Sequence, residues 1–278
     1  MAPLRPGEAL VDTRWGPMVC FANDTGVSEA LRRFGEYGAY EIDLYHRLLG
    51  DAGTFLDIGA NVGVVSVAMA SLDERRRVVA FEPQLSYFGA AAANLRRFPN
   101  ASIYPLALSD REELLEVAEI HPDRVANYGA LDISNVRHAD RQHPAAATTI
   151  DGFLLRQAIV PDLIKIDVEG MEARVLAGGT ETLRSVSPIV SVEADRRDTS
   201  ARAVDLLIAL GYRVYLTLFR VISATNPNYD SSSVHCRNLH VHVIGFGAAI
   251  PDWWQAGFRG SEIRGGSEYL AHFDRKFS

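Results

Sequence analysis

The sequence is poor in cysteine, in basic stripes and in long apolar runs, and each shortage removes a class of protein. Its 278 residues hold two cysteines, Cys20 and Cys236, far apart along the chain. Neither a disulfide framework nor a cysteine-based zinc site is indicated, and a reducing cytoplasm is the expected location. No apolar stretch reaches the roughly 20 residues that a membrane-spanning helix needs. The first residues, Met1-Ala2-Pro3-Leu4-Arg5-Pro6, lack the apolar core of a signal peptide, so a soluble chain is expected. Lysine and arginine number 28 against 35 acidic residues, a net charge of -7. That balance makes a nucleic-acid backbone a poor partner and a small molecule or carbohydrate a better one.

What is present is alternation. Hydrophobic residues make up 47% of the chain, which suits one large α/β domain with appendages. Residues 1–50 read as an N-terminal extension. In it Leu10-Val11 and Met18-Val19-Cys20-Phe21 flank Arg14-Trp15-Gly16-Pro17 as a hairpin, and a helix follows with Tyr40, Ile42, Leu44, Tyr45, Leu48 and Leu49 on its apolar side. From 54 to 216 strands alternate with helices, the pattern of a doubly wound, mostly parallel sheet. Strands are predicted at 54–58, 78–81, 102–104, 163–166, 189–192 and 212–216. Helices are predicted at 62–71, at 86–97 with Ser86 as N-cap, after Ile166, and at 201–210. Residues 111–160 break the rhythm and read as an insertion, between the third and fourth strands, over the ligand end of the sheet. The run Leu239-His240-Val241-His242-Val243-Ile244 is expected as a final antiparallel strand at the sheet edge. The main domain then covers 51–250. The tail, 251–278, with Trp253, Trp254, Phe258, Tyr269 and Phe273, is open between a packed extension and a homo-oligomer contact.

In an open α/β sheet the first strand-to-helix turn is the usual nucleotide site. Here that turn is Asp57-Ile58-Gly59-Ala60-Asn61-Val62-Gly63. Gly59 and Gly63 allow a tight turn and close approach of a ligand to the backbone. A pyrophosphate-binding turn would read G-x-G-x-x-G, and Asn61 breaks that pattern. Glu82 ends the second strand about 20 residues on, where a carboxylate can accept hydrogen bonds from ribose hydroxyls. Together these features predict an adenosine-bearing cofactor without pyrophosphate, S-adenosylmethionine, with Asp57 facing its amino-acid end. Ser109 and Asp110 are placed to meet the adenine amino group, and Tyr37 and Glu41 to cover the cofactor.

Several segments resemble those of FkbM-type methyltransferases, a branch of the class I S-adenosylmethionine-dependent enzymes. They are Phe55-Leu56-Asp57-Ile58-Gly59-Ala60-Asn61-Val62-Gly63, Ala80-Phe81-Glu82-Pro83, Ala107-Leu108-Ser109-Asp110, Thr149-Ile150-Asp151, and Leu163-Ile164-Lys165-Ile166-Asp167-Val168-Glu169-Gly170-Met171-Glu172. The resemblance covers roughly residues 36–195, and the last segment is its most specific part. It implies a Rossmann-like domain and O-methylation of a hydroxyl on a sugar, glycan or polyketide-like molecule.

Methyl transfer to an alcohol needs alignment and removal of a proton, by a general base or with the help of a divalent cation. Asp167, Glu169 and Lys165 are the candidate catalytic residues: Asp167 closes a central strand, Glu169 and Glu172 follow it, and Lys165 would neutralise these acids. Asp167 and Glu193, at adjacent strand ends with Asp195 nearby, could hold Mg²⁺ or Mn²⁺; helix capping is the plainer role. His240 and His242 point to one face of their strand near His235 and Cys236. They are read as solvent-facing, with a metal cluster as the alternative. His121, His138 and His143 in the insertion are further candidate bases, and Trp253-Trp254 is open between substrate platform and packing. Two other functions fit a similar sheet: an NAD(P)-dependent oxidoreductase, which Asn61 weighs against, and a methyltransferase-like binding protein without catalysis.

Overall fold

The computed structural model describes residues 3–119, 121, 123–127, 140–257 and 261–277. The chain opens with a hairpin of β1 (Glu8–Thr13) and β2 (Gly16–Phe21), paired antiparallel. Gly16 takes the positive φ that its turn requires, and the Thr13 hydroxyl donates to the Gly16 carbonyl at 2.6 Å. Helix α1 (Val27–Phe34) has no counterpart in the predicted elements. The carboxylate of Asp24 starts it by accepting the N–H groups of Gly26 and Ser28, and Ala30, Leu31 and Phe34 bury its inner side. Helix α2 (Ala39–Leu49) buries Ile42, Leu44 and Tyr45 and, with them, Glu41.

The main body follows as β3 (Gly53–Ile58), α3 (Val64–Leu72), β4 (Arg76–Phe81), α4 (Leu85–Leu95) and β5 (Ala101–Tyr104). Helix α4 starts one residue before Ser86, so Gln84 occupies the N-cap position expected for Ser86. One side chain of α4 stitches the hairpin to this body. Asn94 accepts from Val19 N–H at 2.6 Å and donates to the carbonyls of Val19 and Val62, each at 2.9 Å.

The predicted insertion carries order of its own. Strands β6 (Ala107–Leu108), β7 (Glu113–Glu119) and β8 (Arg141–Thr148) form a separate sheet in the order β6-β8-β7, before α5 (Ile150–Gln157). Then come β9 (Leu163–Ile166), α6 (Glu172–Ala177), α7 (Thr180–Ser185), β10 (Ile189–Glu193), α8 (Arg197–Ala209), β11 (Arg213–Arg220), α9 (Val234–Arg237) and β12 (Leu239–Phe246). The chain ends with α10 (Asp252–Gly257), β13 (Ser261–Ile263) and α11 (Gly266–Phe277).

Eight strands make the central sheet in the order β13-β11-β12-β10-β9-β3-β4-β5, parallel from β10 to β5. Strand β12 is antiparallel to both neighbours and lies between β10 and β11, so the expected edge position is corrected: β13 forms that edge. The physical reason lies in β12 itself, which has apolar residues for both faces, Val241 and Val243 on one and Ile244 and Phe246 on the other. Alternation divides the core in the same way throughout. Leu56, Val79, Ile164 and Val190 pack on one side of the sheet, and Phe55, Val78 and Leu163 on the other. Trp254 is buried against Tyr215 and Phe246, while Arg47 covers Trp253, so this aromatic pair packs into the core edge. Helix α11 lies on α8, and the Tyr269 hydroxyl donates to the Ala194 carbonyl at 2.7 Å. Among the described residues no helix is long and apolar enough to cross a membrane.

Candidate active site

The parallel strands deliver their polar residues to one end and one face of the sheet. Asp57 of β3 stands opposite Lys165 of β9, Lys165 opposite Ser191 of β10, and Glu193 opposite His242 of β12. Because side chains alternate, Asp167 shares the face of Lys165, and Glu193 that of Ser191. A cavity of about 750 Å³ opens above this row, within the range of ligand sites.

Lys165 is the buried hub. Its Nζ lies 3.2 Å from Asp57 Oδ1, 3.2 Å from Asp167 Oδ2 and 3.3 Å from the Gly59 carbonyl. Burial works against its charge, but Asp167 and Asp57 outweigh that and hold its pKa above the ordinary lysine value. Lys165 is therefore a fixed ammonium, unsuited to take a proton. Asp57 is fully buried, accepts from Ser66 Oγ at 2.6 Å and does not reach the cavity wall. It stands beneath the floor, where it anchors Lys165.

The glycine turn bends through three positive φ values, 86° at Gly59, 54° at Asn61 and 84° at Gly63. The N–H groups of Gly59 and Ala60 both donate to the Phe81 carbonyl, at 3.0 and 2.9 Å. A Cβ at Gly59 would overlap the carbonyl oxygen of Asp167 and lie 2.8 Å from its carbon. Gly59 and Asn61 line the cavity; Gly63 instead starts α3 beneath Ala91. Glu82, 4% exposed, also lines the cavity. Its two carboxylate oxygens accept from Asn61 N–H at 2.8 Å and Gln84 N–H at 2.9 Å, each keeping capacity for one more donor. Burial raises its pKa to about 7 against the pull of those backbone bonds.

Ser109 and Asp110 do not line the cavity, although Leu106, Ala107 and Leu108 do. Ser109 is buried with its hydroxyl on Asp110 and Glu113, and Arg174 holds both acids. These residues brace β6 against α6.

Asp167, Glu169 and Glu193 bring one carboxylate oxygen each to within 4.8 Å of one another. Burial and the Asp167 and Asp195 charges push Glu193 well above the usual carboxylate range, whereas Lys165 holds Asp167 below it despite burial. The two acids titrate as one pair, in which Lys165 favours the ionised form of Asp167 and burial favours the neutral form of Glu193. Burial and the Asp167 charge raise Glu169 to about 7, while Arg196 pairs with it. Asp195 completes this rim; Glu172 turns back to accept from Gly170 N–H at 2.8 Å and stays out of the cavity.

The histidine strand departs most from expectation. His242 is 1% exposed and faces Glu41 of α2, with His240 beside it on the cavity wall, so the solvent-facing reading is overturned. Burial keeps the His242 pKa below the ordinary value. Cys236 packs with Phe34 and Ile222, and His235 lies 3.7 Å from Glu29, so neither joins this group. Tyr37 lines the cavity, with its hydroxyl 3.0 Å from His240 Nε2. His121 and His143 do not line it, and His138 lies outside the described residues. The walls that sequence reasoning missed are Thr25–Val27 before and in α1, Asn127 of the insertion, and the α9 segment with Arg237 and Asn238. Remote segments bring these in, and no local motif marks them.

Compared with known proteins, residues 57–214 match the family model described as methyltransferase FkbM domain. AMB antimetabolite synthetase AmbE of Pseudomonas aeruginosa is 32% identical in an alignment 213 residues long that covers 62% of this chain and 10% of that protein. The chain thus spans about a tenth of the length of this relative. Among solved structures, methyltransferase FkbM from Methylobacillus flagellatus KT gives a TM-score of 0.46 at 15% identity, over 70% of this chain and 44% of that one. Precorrin-6y C5,15-methyltransferase from Geobacter metallireducens GS-15 gives 0.50 at 19% identity, over 82% and 94%, which shows the shared Rossmann-like fold. With its family model covering more than half of the sequence, the chain belongs to the FkbM methyltransferases.

Proposed function

We propose that the cavity binds S-adenosylmethionine and that the protein transfers its methyl group to a hydroxyl of a small molecule of the sugar, glycan or polyketide-like kind. The observation that carries this reading is the pairing of the Gly59–Asn61 turn with Glu82, whose buried carboxylate keeps two free acceptor positions for a ribose diol. Phe81, Leu106 and Leu108 offer an apolar slot beside it, suited to a purine. The likeness to a synthetase of an antimetabolite supports a small-molecule acceptor.

The cofactor supplies an electrophilic methyl carbon on a sulfonium. The chain's own task is to orient the acceptor and take one proton. Asp167 is ionised and 31% exposed at the cavity, fixed from below by Lys165 and from the side by Glu193. As the O–C bond forms and the S–C bond breaks, the acceptor oxygen becomes a strongly acidic oxonium, so even a weakly basic carboxylate can accept its proton. The products are the methyl ether, the thioether and a protonated Asp167. Mg²⁺ or Mn²⁺ at Asp167 and Glu193 is not part of this reading, because the Lys165 ammonium already touches Asp167.

Calorimetry with S-adenosylmethionine, S-adenosylhomocysteine and NAD tests the cofactor. Binding of both sulfur ligands is expected, and NAD binding without either would sink the proposal. The affinity should also depend on pH. Ribose hydroxyls donate to the ionised form of Glu82, so binding releases a proton below the free-site value of about 7. The affinity for S-adenosylhomocysteine is expected to be flat above that pH and to fall about tenfold per unit below it. Glu82→Gln should bind weakly with a flat profile; an unchanged slope in that variant would remove Glu82 from the contact.

A further inference from the structure

We infer that Glu41, His240 and His242 form a binding site for a divalent transition-metal ion in the wall of the cavity. Three facing atoms carry the inference. Glu41 Oε2 lies 3.7 Å from His240 Nδ1 and 3.8 Å from His242 Nε2, and the three residues bring one ligand atom each to within 4.8 Å of one another. These separations are too long for hydrogen bonds. They approach the roughly 3.4 Å between two donors that each bind one tetrahedral ion at ~2.0–2.1 Å.

The second, independent observation is His242 Nε2 itself. The residue is 1% exposed, and this nitrogen has no hydrogen-bond partner although it points at Glu41. A buried polar atom without a partner is costly, and an ion would satisfy it. The far atom of each residue, in contrast, is held. Tyr45 donates to Glu41 Oε1 at 2.7 Å, Ser191 Oγ lies 3.2 Å from His242 Nδ1, and the Tyr37 hydroxyl lies 3.0 Å from His240 Nε2. Such outer partners fix the tautomer and aim the remaining lone pair inward, as they do around metal-binding histidines. Strand alternation puts both imidazoles on one face, and α2 lays Glu41 across them.

Two imidazoles with one carboxylate select a borderline ion such as Zn²⁺, Co²⁺ or Fe²⁺ over Mg²⁺. Glu41 and His240 line the cavity while His242 stands behind them, so open coordination positions face the acceptor. On the methyl-transfer reading above, on which this role rests, an ion there would seat the acceptor hydroxyl and increase its acidity.

The test needs no acceptor. Metal-stripped full-length protein is titrated with Co²⁺, whose visible absorption reports nitrogen ligands, and then with Zn²⁺ as competitor. One Co²⁺ per chain is expected, displaced by Zn²⁺ and not by excess Mg²⁺. His240→Gln should weaken it by more than ~100-fold and Tyr37→Phe, which removes no ligand, by ~10–100-fold. A thermal transition near that of the parent shows that His240→Gln is folded. No uptake by the parent, or uptake that His240→Gln leaves unchanged, overturns the inference. So does uptake lost in Glu193→Gln but kept in His240→Gln, which would move the ion to the acidic rim. If Co²⁺ binds as expected and S-adenosylhomocysteine does not, the cofactor reading falls and the metal site stands.

Discussion

Gly59→Ala is expected to lower the melting temperature by about 8–16 °C and to weaken S-adenosylhomocysteine binding by at least ~100-fold. The new Cβ would overlap the Asp167 carbonyl oxygen and stand 2.8 Å from its carbon, and both atoms belong to the backbone of a central strand end. Neither can move far, because Asp167 N–H is bonded to the Ile58 carbonyl at 3.0 Å. Overpacking of this kind costs ~1–3 kcal/mol or more, and a left-handed φ of 86° adds ~1–2 kcal/mol for a residue with a side chain. A total near ~4 kcal/mol is a large share of a stability of ~5–15 kcal/mol, and each kcal/mol shifts the transition by ~2–4 °C in a chain of this size. Gly211→Ala is the control. Its φ is 88°, but nothing stands within 4 Å of the new Cβ, so it should show the backbone cost alone, about 1 kcal/mol. Equal effects of the two substitutions would show that the contact with Asp167 does not matter.

The second large effect is catalytic. Asp167→Asn should reduce kcat by ~10²–10⁴-fold, the usual contribution of a general base, while binding of S-adenosylhomocysteine changes little. An acceptor for this assay can be found by screening sugar and polyketide-like alcohols with isotopically labelled S-adenosylmethionine. Glu193→Gln supplies the contrast. Burial and the Asp167 charge push Glu193 towards its neutral form, and a neutral glutamine amide can still donate to Asp167, so this variant should keep activity within about tenfold. If Glu193→Gln is as damaging as Asp167→Asn, Glu193 must ionise during turnover and the assignment of the base is wrong. If both variants are fully active, the acidic rim serves only to shape the cavity.

These expectations divide along what was legible in the sequence. The repeating strand-helix pattern placed the parallel core, because buried strands such as Leu163–Ile166 read as short apolar runs whatever their partners. That part of the glycine turn and Glu82 would meet at one cavity was legible because both sit at fixed offsets from strand ends. Position in the fold was not. Asp57 looks like a ligand in its motif, but the register that sets it opposite Lys165 across 108 residues turns it into a buried anchor. Ser109 and Asp110 are drawn off by Arg174 in the same way. The two histidines alternate as edge residues would, and only the insertion of β12 between β10 and β11 brings them inward to Glu41, about 200 residues earlier in the chain. The strand at Arg141–Thr148 was hidden for a local reason: Pro144 and a run of alanines give little strand signal.

The Asn94 stitch has a consequence for the order of events at the ribosome. Val19 is made 75 residues before the side chain that holds both its N–H and its carbonyl. At ~5–20 residues per second, the hairpin waits for ~4–15 s without its partner. An isolated two-stranded hairpin is marginal in water, so this first segment stays fluid through that interval. The same amide also holds the Val62 carbonyl of the glycine turn, so the hairpin locks into place in the step that completes the turn.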